Sequence, residues 1–515
     1  MAYDLSKEHL FRSCADAAEA IRIECSSVLL ADEYTEESSL AGCGRALVDL
    51  LLRQAAQVCV CYQDLQSANA TTAEIPPEKR SLISKRLDDI ISISYAKFYA
   101  FVFRDLPTCW RQLYTDASIL KFCLGFLQYP YLYGSATDSK ACHEETGHEI
   151  SELVRILDLA LILAGAAGEK RGRRWVNETL KLLHMIWKEA TTPKDTLTLD
   201  SAKKRMKPGV EDVFSSAEPF TPPVKHPIES VDGLPMEAFQ AYMDNSQDLK
   251  LGPRPLIIRS SIRDWPALTT NPWRSPSYLL SRTFDGRRLV PVEIGRSYVD
   301  EGWGQKIITF NEFLTEYIDP SLAGVRDGSS GEPAISPSPT RSTAYLAQHP
   351  LFTQLPSLRN DILIPDYCYT APPPHPTDPS IDQPELDEPL LNAWLGPPGT
   401  ITPLHNDPYH NILTQVVGRK YVRLYSPLDT EEMQARGREN GVEMGNTSLM
   451  DVGVVEGWDA LPENDDHVQE DLDAFKKVPF LDCILEPGDA LYIPIGWWHY
   501  VRGLSVSFSV SFWWN

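Results

Sequence analysis

Two histidines and an aspartate set the first question this chain raises. The segment TITPLHNDPYHN puts His405 two residues before Asp407. On a strand, residues i and i+2 share a face, so this imidazole and this carboxylate can grip one ion. Two His and one carboxylate occupy one face of an octahedron. Three positions stay open for a co-substrate and O2, as non-haem Fe(II) oxygenases require. An H-x-D pair alone says little. With 11 His and 71 acidic residues, about one or two such matches arise by chance. His143 and Glu145 form an H-x-E pair in a helical stretch. There i and i+2 do not face each other, and the pair is read as a chance match. The second imidazole has to come from another strand. His499 stands in PGDALYIPIGWWHYV, after a Pro487-Gly488-Asp489 turn and inside an aromatic run that would shield a metal from water. His410 is the rival by proximity, but its position puts it on the opposite strand face from His405. His349 and His184 are read as structural.

A third element is a cation suited to a dicarboxylate. Lys420 follows a Gly418 turn in NILTQVVGRKYVRLYSP. A Lys inside a barrel needs an anionic partner, because an unpaired buried charge is costly. A co-substrate carboxylate would supply one, and Asn411, Thr402 and Tyr345 could add neutral hydrogen bonds. The alternative for Lys420 is a solvated strand residue.

Two kinds of element have to position these residues. Residues 1–205 read as an all-α domain, with apolar residues at helical spacing over Leu40–Leu65, Glu149–Leu163 and Trp175–Trp187. A linker is placed at 206–227, where Pro219, Pro222, Pro223 and Pro227 block both helix and sheet. From 228 to 515 short strand-like runs alternate with turns: LIIRS (256–260), LVPVEIG (289–295) and KIITF (306–310). Near the end Val506, Phe508, Val510 and Phe512 alternate with Ser505, Ser507, Ser509 and Ser511, which predicts a half-buried strand. The class is α+β multidomain, with a β-sandwich or jelly-roll barrel second. Three segments read as loops: 326–342, 371–389 and 430–475.

Composition narrows the partners. The net charge is −23, which repels nucleic acid and favours a basic polypeptide. The ten Cys form no C-x-x-C pair, and the first residues carry no signal segment. We expect reduced, buried thiols and action in the nucleus and/or cytoplasm, with no membrane partner. The clusters KRGRR (170–174) and KKRMK (203–207) fit charged helix ends or nuclear-import signals. Oligomeric state is open.

Across much of 228–515 the chain closely resembles the JmjC-domain family, and within it the lysine-specific demethylase 8 group. The matching segments include YLAQHPLFTQLP, NAWLGPPGTITPLHNDP, GRKYVRLYSP, PFLDCILEPGDALYIP and WHYVRGLSVSFSVSFWW. The resemblance implies a double-stranded β-helix, a cupin-like jelly roll. It implies Fe(II) on His405, Asp407 and His499. It implies 2-oxoglutarate on Tyr345, Thr402, Asn411 and Lys420, with Trp394 lining the site and O2 as the other co-substrate. It also implies a substrate pocket of Glu293, Tyr298, Trp303 and Gln348. A carboxylate with two aromatic rings suits a guanidinium.

The implied activity is oxidation of a protein side chain, with arginyl hydroxylation as the first reading. Demethylation of N-methyl-lysine, as on histone tails, is the alternative. A vestigial JmjC domain on a scaffold or chromatin adaptor is a second alternative.

Overall fold

The computed structural model describes residues 2–31, 40–67, 75–101, 105–133, 143–168, 171–191, 212–246, 248, 250–300, 302–325, 343–439, 441–460 and 469–515. The predicted loop 326–342 and the cluster KKRMK lie outside these residues, as does the first part of the linker. The chain divides into two compact units, 1–201 with 287–289, and 202–286 with 290–515.

The first unit is helical. Its helices are α1 (Ala2–Leu30), α2 (Arg45–Ser67), α3 (Pro77–Phe98), α4 (Thr108–Phe126), α5 (His143–Ala164) and α6 (Gly172–Thr191). The stretch read as helical from Leu40 contains a break. Gly44 takes a φ of 86°, and α2 starts only after it. α2 buries Val48, Leu51, Ala55 and Val58, one stripe of a 3.6-residue period. α4 is buried nearly all round, which makes it the central helix. It carries Asp116, which Arg171 grips with two hydrogen bonds of 2.9 and 2.8 Å. The nine described cysteines are free and buried. No helix among the described residues is long and apolar enough to cross a membrane.

The second unit is built on two main sheets, with a two-stranded ribbon beside them. Its first strands are β1 (Ser230–Asp232), β2 (Leu256–Arg259), β3 (Leu289–Ile294), β4 (Gly304–Thr309), β5 (Ala344–His349) and β6 (Leu390–Gly396). Then follow β7 (Ile401–His405), β8 (His410–Val417), β9 (Lys420–Tyr425) and the short β10 (Arg438–Glu439) and β11 (Val442–Glu443). The last are β12 (Phe480–Leu485), β13 (Ala490–Ile493), β14 (Trp498–Gly503) and β15 (Ser507–Trp514). The large sheet runs β1-β2-β13-β8-β15-β6-β5-β3-β4, and the small one β12-β9-β14-β7. Strands far apart in sequence are neighbours, as a jelly roll requires. Helix α7 (Met236–Asp244) follows β1, and α8 (Pro276–Arg282) precedes β3.

Three apolar layers hold this unit. Leu413, Leu491 and Ile493 of the large sheet meet Val422, Leu424 and Leu485 of the small one. Phe508, Val510 and Phe512 of β15 pack outward with Phe239 and Trp273. Tyr421, Tyr425 and Tyr500 of the small sheet pack against Val452, Phe475 and Met433. These last three come from 430–475, so that segment is not merely a loop. Its described residues cover a sheet face and include β10, β11 and two short helices.

The C-terminal strand also departs from expectation. It is buried on both faces, not half-buried. Its serines face the barrel interior, where Ser509 donates to Gln415 at 2.7 Å and Ser511 accepts from Trp394 at 2.9 Å. A polar face need not be a wet one: these two hydroxyls find partners inside, while the buried Ser507 hydroxyl has none.

Gly418 makes the tight return from β8 to β9. Its φ is +65°, and a Cβ there would collide with the Val506 carbonyl and the Ser505 hydroxyl. We expect Gly418→Ala to destabilise the β unit by about 2 kcal/mol or more. Urea unfolding followed by tryptophan fluorescence checks this, and an unchanged midpoint would refute it.

Candidate active site

The interior end of the barrel brings the three metal-ligating candidates together. β14 runs antiparallel to β7, and His499 lies directly opposite His405. Their rings are 4.2 Å apart between centroids. Asp407 lies beyond the end of β7, in the turn to β8, so the strand-face argument does not place it. Its carboxylate reaches back instead, with Oδ1 3.6 Å from His405 Nε2 and Oδ2 3.5 Å from His499 Nε2. One ligand atom from each residue lies within 4.8 Å of the others, a spacing that could hold a metal ion.

The neighbourhood sets the imidazoles up as ligands. His405 Nδ1 is 2.8 Å from the Pro403 carbonyl, and His499 Nδ1 is 3.1 Å from the Trp497 carbonyl. A carbonyl accepts only from N–H, so each Nδ1 carries the proton and each Nε2 presents a lone pair. Burial, together with the neighbouring His405, holds the His499 imidazole well below its ordinary pKa, so it stays neutral. Burial raises the Asp407 carboxyl despite His405 and a 3.3 Å hydrogen bond from Asn411. A bound cation would favour its ionised form.

A β-bulge aims these residues. Strict alternation would put Thr402 and His405 on opposite faces of β7. The pairing with β14 shifts register between His405 and Thr402, and both line the same cavity. Pro403 lies inside that shift, where a proline is tolerated because the ladder is already interrupted.

Deeper in the cavity sit Lys420, Tyr345, Thr402, Asn411 and Trp394, around a small internal space. Lys420 is 2% exposed, so it is not the solvated strand residue of the alternative reading. Its Nζ donates to Tyr345 Oη at 3.2 Å, and burial pulls its pKa down to about 7. Asn411 Oδ1 has no hydrogen-bond partner. A buried ammonium facing a phenol, with an unsatisfied amide nearby, fits an anionic oxygen-rich ligand. The donor set of two imidazoles and a carboxylate fits Fe(II).

An outer cleft shares Tyr345, Trp394, Thr402, His405 and Asp407 with this cavity. β3 pairs with β5 so that Glu293 lies across from Tyr345. Burial raises the Glu293 carboxyl, although Trp303 Nε1 donates to it at 3.4 Å. Tyr298 is hydrogen-bonded to Thr447 at 3.2 Å, and burial pushes its phenol up to about 12. Gln348 also lines the cleft. Thus Glu293, Tyr298 and Gln348 line one cleft with His405 and Asp407, and Trp303 joins through Glu293.

Some site residues escaped the sequence reading. Residues 444–448 lie against the edge of β7: Asn406 N–H donates to the Asn446 carbonyl at 3.0 Å, and Ser448 N–H to that of Leu404 at 2.8 Å. Met444, Asn446 and Thr447 thereby line the cleft. Nothing local marks them, since they sit in a segment that reads as loop. The rival His410 is a packed residue. It binds the Tyr492 hydroxyl and the Pro373 carbonyl, each at 2.9 Å, and burial lowers it to about 4. His349 pairs with Gln354 at 2.8 Å. His184 lies on α6 in the helical unit. His143 and Glu145 lie on α5, as the helical reading required.

A double sheet carrying two histidines and an aspartate at its inner end defines a cupin-type metal centre. A family model described as a cupin-like domain matches residues 244–515. The chain belongs to this cupin-like JmjC-domain family, and it is an Fe(II)- and 2-oxoglutarate-dependent dioxygenase of that class. The Danio rerio protein named lysine-specific demethylase 8 is 34% identical over 433 residues, 84% of this chain and 87% of its own length. Lysine-specific demethylase JMJ30 of Arabidopsis thaliana is 39% identical over 288 residues, 56% of this chain and 54% of its own. A more distant Homo sapiens relative, named bifunctional peptidase and (3S)-lysyl hydroxylase JMJD7, is 23% identical over 275 residues, 51% of this chain and 77% of its own.

The geometry makes a divided forecast for the histidines. His405→Ala and Asp407→Ala should each weaken Mn(II) or Fe(II) binding by more than the roughly 100-fold typical of outer-shell changes. His410→Ala should lower the melting temperature and leave metal affinity within a few-fold. Calorimetric titration separates the two, and loss of metal binding in His410→Ala would contradict the assignment.

Proposed function

We propose that this dioxygenase oxidises a C–H bond on a basic side chain of a polypeptide. In this proposal Fe(II) sits on His405, Asp407 and His499. 2-Oxoglutarate lies on Lys420, Tyr345, Thr402 and Asn411, beside Trp394. When both are bound, they supply oxidation by O2 while 2-oxoglutarate is converted to succinate and CO2. The protein's part is to bind, orient and keep water out. Lys420 neutralises the distal carboxylate, and the aromatic residues around His499 shield the ligands.

The observation that carries the substrate class is Glu293. It is a half-buried carboxylate in the cleft that reaches the triad, and its hydrogen-bond partner is an indole, not a cation. A basic side chain entering the cleft would satisfy it. The chain's net charge of −23 favours a basic protein partner, such as a histone tail. Relatives named lysine-specific demethylases support N-methyl-lysine as the first reading, ahead of arginyl hydroxylation. There a hydroxylated N-methyl carbon collapses to release the methyl group as formaldehyde. Arginine is the second reading, because a carboxylate beside Trp303 and Tyr298 suits a planar guanidinium. The complete donor set weighs against a vestigial scaffold. We place this activity in the nucleus and/or cytoplasm.

Mass spectrometry of matched methyl-lysine and arginine peptides, incubated with the protein, Fe(II), 2-oxoglutarate and ascorbate, decides between the readings. Loss of a methyl, absent with His405→Ala, is the expected result. Gain of one oxygen on arginine would install the second reading. Glu293→Gln should lower kcat/KM on either peptide by about tenfold or more.

Lys420 predicts a pH dependence of known sign. Its protonated form is the one that attracts a dicarboxylate, and in the free protein it titrates at about 7. Affinity for 2-oxoglutarate should therefore be highest below pH 7 and fall about tenfold per unit above it, until the complex's own higher pKa is reached. Titration calorimetry with Mn(II) between pH 6 and 8.5 checks the slope. A flat profile would show that Lys420 stays charged without the ligand.

A further inference from the structure

A second groove joins the active-site cleft. Gln348 and Trp513 line both, and the groove continues between Phe352 and Arg359 on one side and Glu388 and Leu391 on the other. Its floor is an open strand edge. β5 pairs with β6 only between Leu346–His349 and Ala393–Leu395. At Gln348 the backbone turns into the left-handed region, with φ 46°, and after Pro350 the chain becomes a short helix. The first residues of β6, Leu390 to Asn392, are therefore paired with β15 on one side and, among the described residues, with no strand on the other, where the helix Leu351–Gln354 flanks the groove. Leu390 is exposed, and the Trp513 indole N–H at the junction is buried without a hydrogen-bond partner. A strand edge without a strand partner is a template for another extended chain.

We propose that the polypeptide substrate binds in extended form as an added strand on the open edge of β6 at Leu390–Asn392, crossing Trp513 and Gln348 into the cleft. This rests on the reading of a polypeptide substrate and specifies where its flanking residues lie. Continuity with the cleft selects the occupant: a chain whose side chain reaches the metal site meets the groove at these two residues. Charge selects its composition. Glu388 lines the groove on the β6 side, with Glu385 and Asp387 just before it in sequence, and Arg359 lies on the facing side, so the flank carries Lys or Arg toward β6. Backbone bonds to the edge supply affinity without a sequence code, and the side chains of alternate residues point to the groove.

The probe is an eleven-residue capped peptide of alternating lysine and alanine around a central Nε-dimethyl-lysine, with an arginine-centred twin. Binding to the full chain is measured by competition anisotropy with Mn(II) and 2-oxoglutarate, without O2. Single backbone N-methyl groups are then moved along the flank. Losses of about tenfold at every second position are expected, because alternate N–H groups face β6. Glu388→Lys should weaken the probe about tenfold, while Glu237→Lys on the exposed face of α7 should not. A uniform N-methyl profile, equal affinity for a tripeptide core, or no binding of either probe would overturn the added strand. Product from the probe with a uniform profile would leave the oxygenase reading intact and remove this one. An alternating profile without product would do the reverse.

Discussion

The pairing of β7 with β14 is the constraint on which the site depends. It joins residues nearly a hundred positions apart and sets His405 opposite His499. Sheet registers are discrete, so a slip of one residue would send one imidazole to the outer face, among the tyrosines. The register is held from both sides. Inward, Val422, Leu424 and Val501 pack into the inter-sheet core, and outward Tyr421, Tyr425 and Tyr500 pack beneath the 430–475 segment. The metal centre is thus positioned by two apolar layers that have no part in its chemistry.

That arrangement concentrates poorly compensated polar groups in a dry interior. Lys420 faces a phenol, Asn411 has a bare carbonyl and Asp407 is raised by burial, while Glu293, half-buried in the outer cleft, accepts from an indole N–H. Each costs stability in the unliganded protein. The outer layers offset this. The sites that conflict with ordinary packing rules are then the sites where a ligand would relieve the conflict. The same logic covers the edge of β6. Evolved sheets usually cover or charge their edges, and here a groove leading to the cleft leaves one open.

Much of this was legible in local pattern. Helical spacing marked α2, α5 and α6, and alternation marked β15. His410 stands five residues from His405, which predicts opposite faces of one strand; it lies off the metal cluster, but because β7 and β8 belong to different sheets and its ring is held by Tyr492 and Pro373. The failures have physical causes. Alternation predicts a half-buried β15 because polarity suggests exposure, yet its serines are buried, and Ser509 and Ser511 bond within the barrel. Residues 430–475 read as loop because their apolar residues are sparse and aperiodic, yet the described ones, Met433, Val452 and Phe475 among them, cap a sheet face. Asp407 was assigned to a strand, but β7 ends at His405. Thr402 and His405 violate the period-two rule through the bulge at Pro403, and only the proline hinted at it.

By itself the sequence determined the class of chemistry: residue identity decides which ligands exist, and His405, Asp407, His499 and Lys420 are distinctive enough in type and setting. Resemblance to relatives, not spacing, pointed to Glu293, Tyr298, Trp303 and Gln348. Tertiary structure alone decided which groups share one cavity, which carry uncompensated charge, and where the sheet stays open. Those properties come from long-range strand pairing and burial, and neither is encoded in any local stretch of chain.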